Sequence, residues 1–68
     1  TQIGFFVHIR TLHGVGQLAK FNGGIAVFEI GIGQERDLAR LAEESGLKVQ
    51  GMKQDLSGII RAVIITKE

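Results

Sequence analysis

The spacing of apolar positions changes along the chain, and each change marks an element. Phe5, Ile9, Leu12 and Ala19 follow one another at helical intervals, with Gly16 filling one slot, and predict a helix over residues 3–19. The apolar run from Ile3 to Ile9 also reads as a strand, and Gly14 and Gly16 would each cost a helix interior about 1 kcal/mol. Asn22-Gly23-Gly24 then breaks the chain, because both residue types tolerate positive φ. Residues 25–30 are almost unbroken apolar and too short for a helix, the pattern of a central parallel strand covered on both faces. Over residues 34–45, Leu38, Leu41 and Ala42 form one stripe while the charged residues lie mostly off it, which predicts an amphipathic helix. Glu35 and Asp37 suit the positive end of its dipole, and Gly46 stands where a left-handed cap belongs. In residues 47–54, Leu47 and Val49 alternate with Lys48 and Gln50, as in a half-exposed edge strand. Asp55-Leu56-Ser57-Gly58 is a turn composition, and the β-branched run after it, interrupted only by Arg61, predicts a last strand apolar on both faces.

These elements restrict the sheet. The two strands joined by the amphipathic helix are expected to be parallel through a right-handed crossover, and the short turn at Asp55 makes the last two antiparallel neighbours. Because the final strand is apolar on both faces and the one before it is not, the expected order is first, third, second. Two helices can hardly cover both faces and also close the first strand's free edge. Residues 1–68 are therefore expected to be a single partial domain, the end portion of a larger doubly wound sheet or a subunit that completes its sheet by association.

Composition narrows the chemistry. A 68-residue chain without cysteine has neither a disulfide frame nor a thiolate metal site to support a small core, which fits a reducing, cytoplasmic compartment. Eight basic against seven acidic residues give a net charge of +1, and the lysines lack interleaved aromatics, so a nucleic-acid partner is not expected. The start of the chain lacks a signal-peptide pattern and an initiator methionine, which suggests a piece of something longer, and no run reaches membrane-spanning length. His8 and His13, five apart, do not share a helical face as a metal pair would.

Glu29-Ile30-Gly31-Ile32-Gly33-Gln34 follows a strand and opens a helix, as a phosphate or cofactor loop does. Arg36 stands where a dinucleotide loop needs its third glycine, and Glu35 where a methyltransferase loop would have one, so an ordinary tight turn is the simpler reading. Glu29 is an ionisable residue at the carboxyl end of an apolar strand, where open α/β sheets place ligands; it reads either as an acid pointing to solvent or as a group facing a substrate.

Leu18-Ala19-Lys20-Phe21-Asn22-Gly23-Gly24 running into Ile25-Ala26-Val27-Phe28-Glu29-Ile30-Gly31 resembles the segment before and along the fifth strand of S-adenosylmethionine-dependent methyltransferases. More narrowly, Glu29-x-Gly31-x-x-Gln34, the helix ending at Ser45-Gly46-Leu47, and Asp55-Leu56-Ser57-Gly58-x-x-Arg61 resemble the C-terminal end of the HemK family, protein-glutamine methyltransferases that modify peptide chain release factors. The resemblance implies an α/β fold, the C-terminal part of a Rossmann-like methyltransferase sheet, running helix, strand, helix, strand, strand with the last strand antiparallel and central. It implies S-adenosyl-L-methionine as cofactor of the full-length enzyme, a release factor as partner, and the missing N-terminal part of the same domain as a second. The chemistry implied is attack of a glutamine amide nitrogen on an activated methyl group, which depends on in-line positioning more than on a strong base. The family's glycine-rich cofactor loop and Asn-Pro-Pro-Tyr segment have no counterpart here, there being no proline. No catalytic or cofactor-binding residue carries over, the fragment alone is expected to be inactive without bound cofactor, and Glu29 and Gln34 are rim candidates for the substrate pocket. Ile59 and Ile60 stand where the family often has polar residues, so no role carries over to Arg61. The competing expectation is a stand-alone α/β interaction module that self-associates through its open sheet edge. A third reading, an N-terminal fragment with residues 29–33 as cofactor loop, lacks the helix that should follow Asp55.

Overall fold

The fold is taken from a computed structural model, which describes residues 2–67. Its elements are α1 (Gln2–Leu12), β1 (Gln17–Asn22), β2 (Ile25–Glu29), α2 (Glu35–Glu44), β3 (Leu47–Gln54) and β4 (Ile60–Lys67). The four strands form one open sheet ordered β1-β2-β4-β3, antiparallel at every pairing.

The helix expected over residues 3–19 stops at Leu12, and its tail is a strand instead. Local geometry explains the correction. Val15 and Gly16 both direct their amides to the Leu12 carbonyl, at 3.0 and 3.4 Å, ending the helix in a turn just where Gly14 and Gly16 weaken it. Gly16 then lies so close to β2 that a Cβ placed on it would stand 2.9 Å from Ile30 Cγ2 and 3.2 Å from the Glu29 carbonyl oxygen. The Asn22-Gly23-Gly24 break is a hairpin turn with Gly23 at φ +66°, and it folds β1 back on β2. Leu18 and Phe21 sit opposite Phe28 and Ala26, and the register shift between Leu18 and Lys20 lets both face the core.

The strand expected over residues 25–30 as parallel and covered on both faces runs antiparallel to both its neighbours, and its burial alternates. Ala26 and Phe28 are buried while Ile25 is 49% exposed, because α1 and α2 both pack on one face. That face holds the core: Phe5, Ile9 and Leu12 from α1, Leu38 and Ala42 from α2, and Ala26, Phe28, Leu47, Val63 and Ile65 from the sheet. No described helix covers the other face. There Val27 lies opposite Ile64, Ile25 opposite Thr66, and Lys20, Lys48 and Lys53 border the apolar centre.

Other expectations match the fold. β4 is antiparallel and lies between β2 and β3, β3 is an edge strand, and α2 links two strands that run parallel to one another with β4 between them. Glu35 and Asp37 occupy the first turn of α2, and Gly46, at φ +76°, follows its Ser45 cap. The architecture is a small α/β domain with two helices on one side of an open four-stranded antiparallel sheet.

Candidate functional site

Three loops meet at one end of the sheet. β2 ends at Glu29 where β4 begins, and the Ile30 amide donates to the Arg61 carbonyl at 3.0 Å, so the loop after β2 and the hairpin before β4 emerge side by side. The turn after α1 reaches the same end, and it and the loop after β2 form a cleft of about 520 Å³ lined by residues that include His13, Gly16, Gln17, Glu29, Gly31 and Gln34, with the hairpin lying outside the lining.

Glu29 and Gln34, the two rim candidates, thus line one cleft, but they differ in what they do there. Glu29 is exposed, and by alternation from Phe28 it lies on the uncovered face; the ion pairs among the described residues, Arg40–Asp37 and Arg61–Asp55, do not include it. Gln34 is the N-cap residue of α2, in helical conformation, and its side chain makes no cap bond. Instead Gln34 Oε1 accepts a hydrogen bond from the Gly31 amide at 2.8 Å, while the Gln34 amide donates to the Gly31 carbonyl at 3.2 Å. The loop is pinned by these two bonds, with Gly33 at φ +83° supplying the left-handed residue. A glycine-rich phosphate cradle needs its amides free to donate; here the Gly31 amide is already engaged by a side chain of the same loop. The loop after β2 therefore does not offer the glycine cradle that S-adenosylmethionine requires.

Arg61, to which the family resemblance carries no role, has one in the hairpin. Asp55 Oδ1 accepts from the amides of Ser57 (2.8 Å) and Ile59 (3.0 Å), and Asp55 Oδ2 accepts from Arg61 Nε (3.1 Å). The hairpin loop is therefore organised around one carboxylate, an Asx turn closed by a cation, with Gly58 at φ +83°. The spacing Asp55-x-Ser57-Gly58 was the available signal. Leu56 at the tip is fully exposed, and so largely is Ile32 in the neighbouring loop. The Ile59 amide, then the Arg61 side chain, hold the Asp55 carboxyl below its ordinary 3.8. A depressed folded-state value means the stabilisation is present above about pH 4 and is lost as pH falls through that lower value. Amide exchange at Ser57 and Ile59, compared with core amides and corrected for intrinsic rate, should accelerate selectively in this acid window; in Asp55→Asn the pH-dependent part should vanish. Uniform loss of protection across the sheet would contradict the local assignment.

His8 and His13 stay apart on α1 and the turn after it, and among the described residues no group of three His, Cys, Asp or Glu side chains is placed to hold a metal. No helix of the described residues is long and apolar enough to cross a membrane. Comparison with protein-family models, with curated proteins and with solved structures found no match in any of the three.

Proposed function

We propose that this chain is the C-terminal segment of an S-adenosylmethionine-dependent methyltransferase of the HemK type, acting on the side-chain amide of a glutamine in a peptide chain release factor. The observation that carries the reading is the order β2-β4-β3, with β4 antiparallel between two strands that α2 connects in parallel. That is the arrangement the sequence resemblance implies for the fifth, seventh and sixth strands of such a sheet, and the burial pattern leads to it independently. Glu29 and Gln34 fall at the carboxyl end of β2, where open α/β sheets bind ligands.

Bound S-adenosylmethionine supplies an electrophilic methyl group, and its binding residues belong to the absent part of the domain. The contribution of this chain is positional. Gln34 holds the loop at Gly31 in shape, Asp55 and Arg61 hold the adjoining hairpin, and Glu29 presents a carboxylate at the rim. In a larger sheet β2 would give its outer edge to the next strand, so β1, which takes that edge here and buries little of itself, is the element that must rearrange.

The test is the coding sequence upstream of Thr1 together with the activity of its product. Roughly two hundred preceding residues with a glycine-rich loop and an Asn-Pro-Pro-Tyr segment, and transfer of labelled methyl to a release-factor glutamine, are the expected results. A start codon directly before Thr1, or a full-length product inert on release factors, would overturn it. A second reading, a stand-alone interaction module that self-associates, is favoured by the uncovered sheet face and the free edges of β1 and β3.

A further inference from the structure

Charge is segregated along this chain. None of its acidic residues lies before Glu29, so the α1–β1 half carries Arg10, Lys20, His8 and His13 and no carboxylate. Arg10 belongs to neither ion pair found among the described residues. It sits in the last turn of α1, a position the helix dipole favours for a cation, yet it has no acidic partner on its own element or on β1.

Apart from His13, the side chains that line a cleft with it are apolar. Phe5, Ile9 and Leu12 form the buried stripe of α1, and Phe6, Arg10 and His13 form the stripe beside it, at the same intervals of four and three. This second stripe and Leu18 of β1 border this cleft of about 370 Å³, with Ile9 also in its lining. Phe6 is 54% exposed and meets Phe21 edge to face, ring centroids 6.4 Å apart, and Phe21 in turn stacks on Phe5 at 5.6 Å. The aromatic shelf is thus anchored to the core on one side and open on the other, and it holds one large apolar surface in a fixed position next to an unpaired guanidinium.

We propose that the α1–β1 cleft is a docking site for an acidic polypeptide segment, which seats one large apolar side chain against Phe6, Ile9 and Leu18 and pairs a flanking carboxylate with Arg10. The cleft is open along one side and at the small end of the size range of ligand cavities, which suits a single side chain of a larger partner better than an enclosed small molecule. Complementarity of sign selects the partner: the lining of the cleft includes the Arg10 guanidinium and no carboxylate, and a cation beside an apolar seat is how acidic motifs are read. This inference stands apart from the methyltransferase reading and survives or fails without it.

The test is a titration of the isotopically labelled 68-residue chain with an acetylated peptide in which one leucine is flanked on each side by two glutamates. Saturable shifts confined to Phe6, Ile9, Arg10, His13 and Leu18 are expected. The glutamine-flanked and serine-centred versions of the peptide should each bind roughly fivefold or more weakly at low salt, as should R10E with the original peptide, while Arg10→Lys should keep most of the affinity. Arg10→Gln serves in place of R10E should charge reversal at the helix end unfold the chain. Equal binding of the glutamine-flanked peptide, shifts centred on another surface, or no saturable binding would each overturn the proposal.

Discussion

Phe28→Ala is expected to leave the chain predominantly unfolded at 25 °C. Phe28 is fully buried on the core face of β2, an inner strand, between Leu18 of β1 and Val63 of β4, and it belongs to the core cluster that includes residues of both helices. Removing a buried phenylalanine costs about 3–5 kcal/mol through lost transfer energy and the cavity left behind. A 68-residue domain with so small a buried fraction sits near the low end of the range, at about 3–5 kcal/mol in total, so one such loss takes most or all of it. Far-ultraviolet circular dichroism and a thermal scan read the result. Phe6→Ala on the same scans is the control, because Phe6 is more than half exposed, at 54%, and its loss should shift the midpoint by only a few degrees. A cooperative transition retained in Phe28→Ala with a small shift would place the core elsewhere.

The second large effect is expected at a glycine. At Gly16 an added Cβ would meet Ile30 Cγ2 at 2.9 Å, the Glu29 carbonyl oxygen at 3.2 Å and Phe28 Cβ at 3.4 Å. Ile30 is itself buried and the Glu29 carbonyl is backbone, so the turn between α1 and β1 must move outward. Gly16→Ala should therefore destabilise by about 1–3 kcal/mol, the cost of overpacking. Gly14, two residues earlier in the same turn but with nothing within 4 Å of its added Cβ, should tolerate alanine with a change under about 0.5 kcal/mol. Combining Gly16→Ala with Ile30→Leu removes the Cγ2 that makes the nearest contact, and the pair should be less destabilised than the sum of the singles. Denaturant midpoints of the two glycine variants decide it; equal values at positions 14 and 16 would show that β1 does not approach β2 as described.

The sequence was legible wherever one face decides an element. In α2, Leu38 and Ala42 are buried while Arg36, Asp37, Arg40, Glu43 and Glu44 are exposed, so periodicity alone locates the helix, and Gly46 marks its end. β3 and β4 were legible for a related reason: the alternating strand is the edge and the doubly apolar strand lies inside. The error at residues 17–19 came from Ala19, whose spacing from Leu12 fits a helix although its side chain adds little to either structure. The competing signals were Gly16, which only close approach to β2 explains, and the Gly23 turn, which lets Leu18 and Phe21 pair across a hairpin. Apolar character on both faces of residues 25–30 led to a parallel, doubly covered strand, but hydropathy does not report strand direction, and the exposure of Ile25 at 49% shows that a greasy face can remain open.

At the site, Glu29 was legible from its place at a strand end, while the work of Gln34 was not, because its bond to the Gly31 amide depends on loop geometry that spacing does not encode. The pairing of Asp55 with Arg61 was half legible: turn chemistry marks the aspartate, but only the hairpin register brings the guanidinium to it.

The uncovered face of the sheet is the feature that the larger-sheet proposal and the self-association reading both require. Val27 and Ile64 lie opposite one another at its centre, with Ile25 alongside. The most direct measurement is sedimentation velocity of the 68-residue chain over a range of concentrations, with fluorescence of a dye that binds exposed apolar surface read on the same samples, for the natural chain and for Ile64→Lys. The natural chain is expected to bind the dye or to associate as concentration rises, and the variant to stay folded and lose both. A chain that remains monomeric at every concentration, melts cooperatively and leaves the dye dark would contradict the claim that this sheet lacks a covering layer.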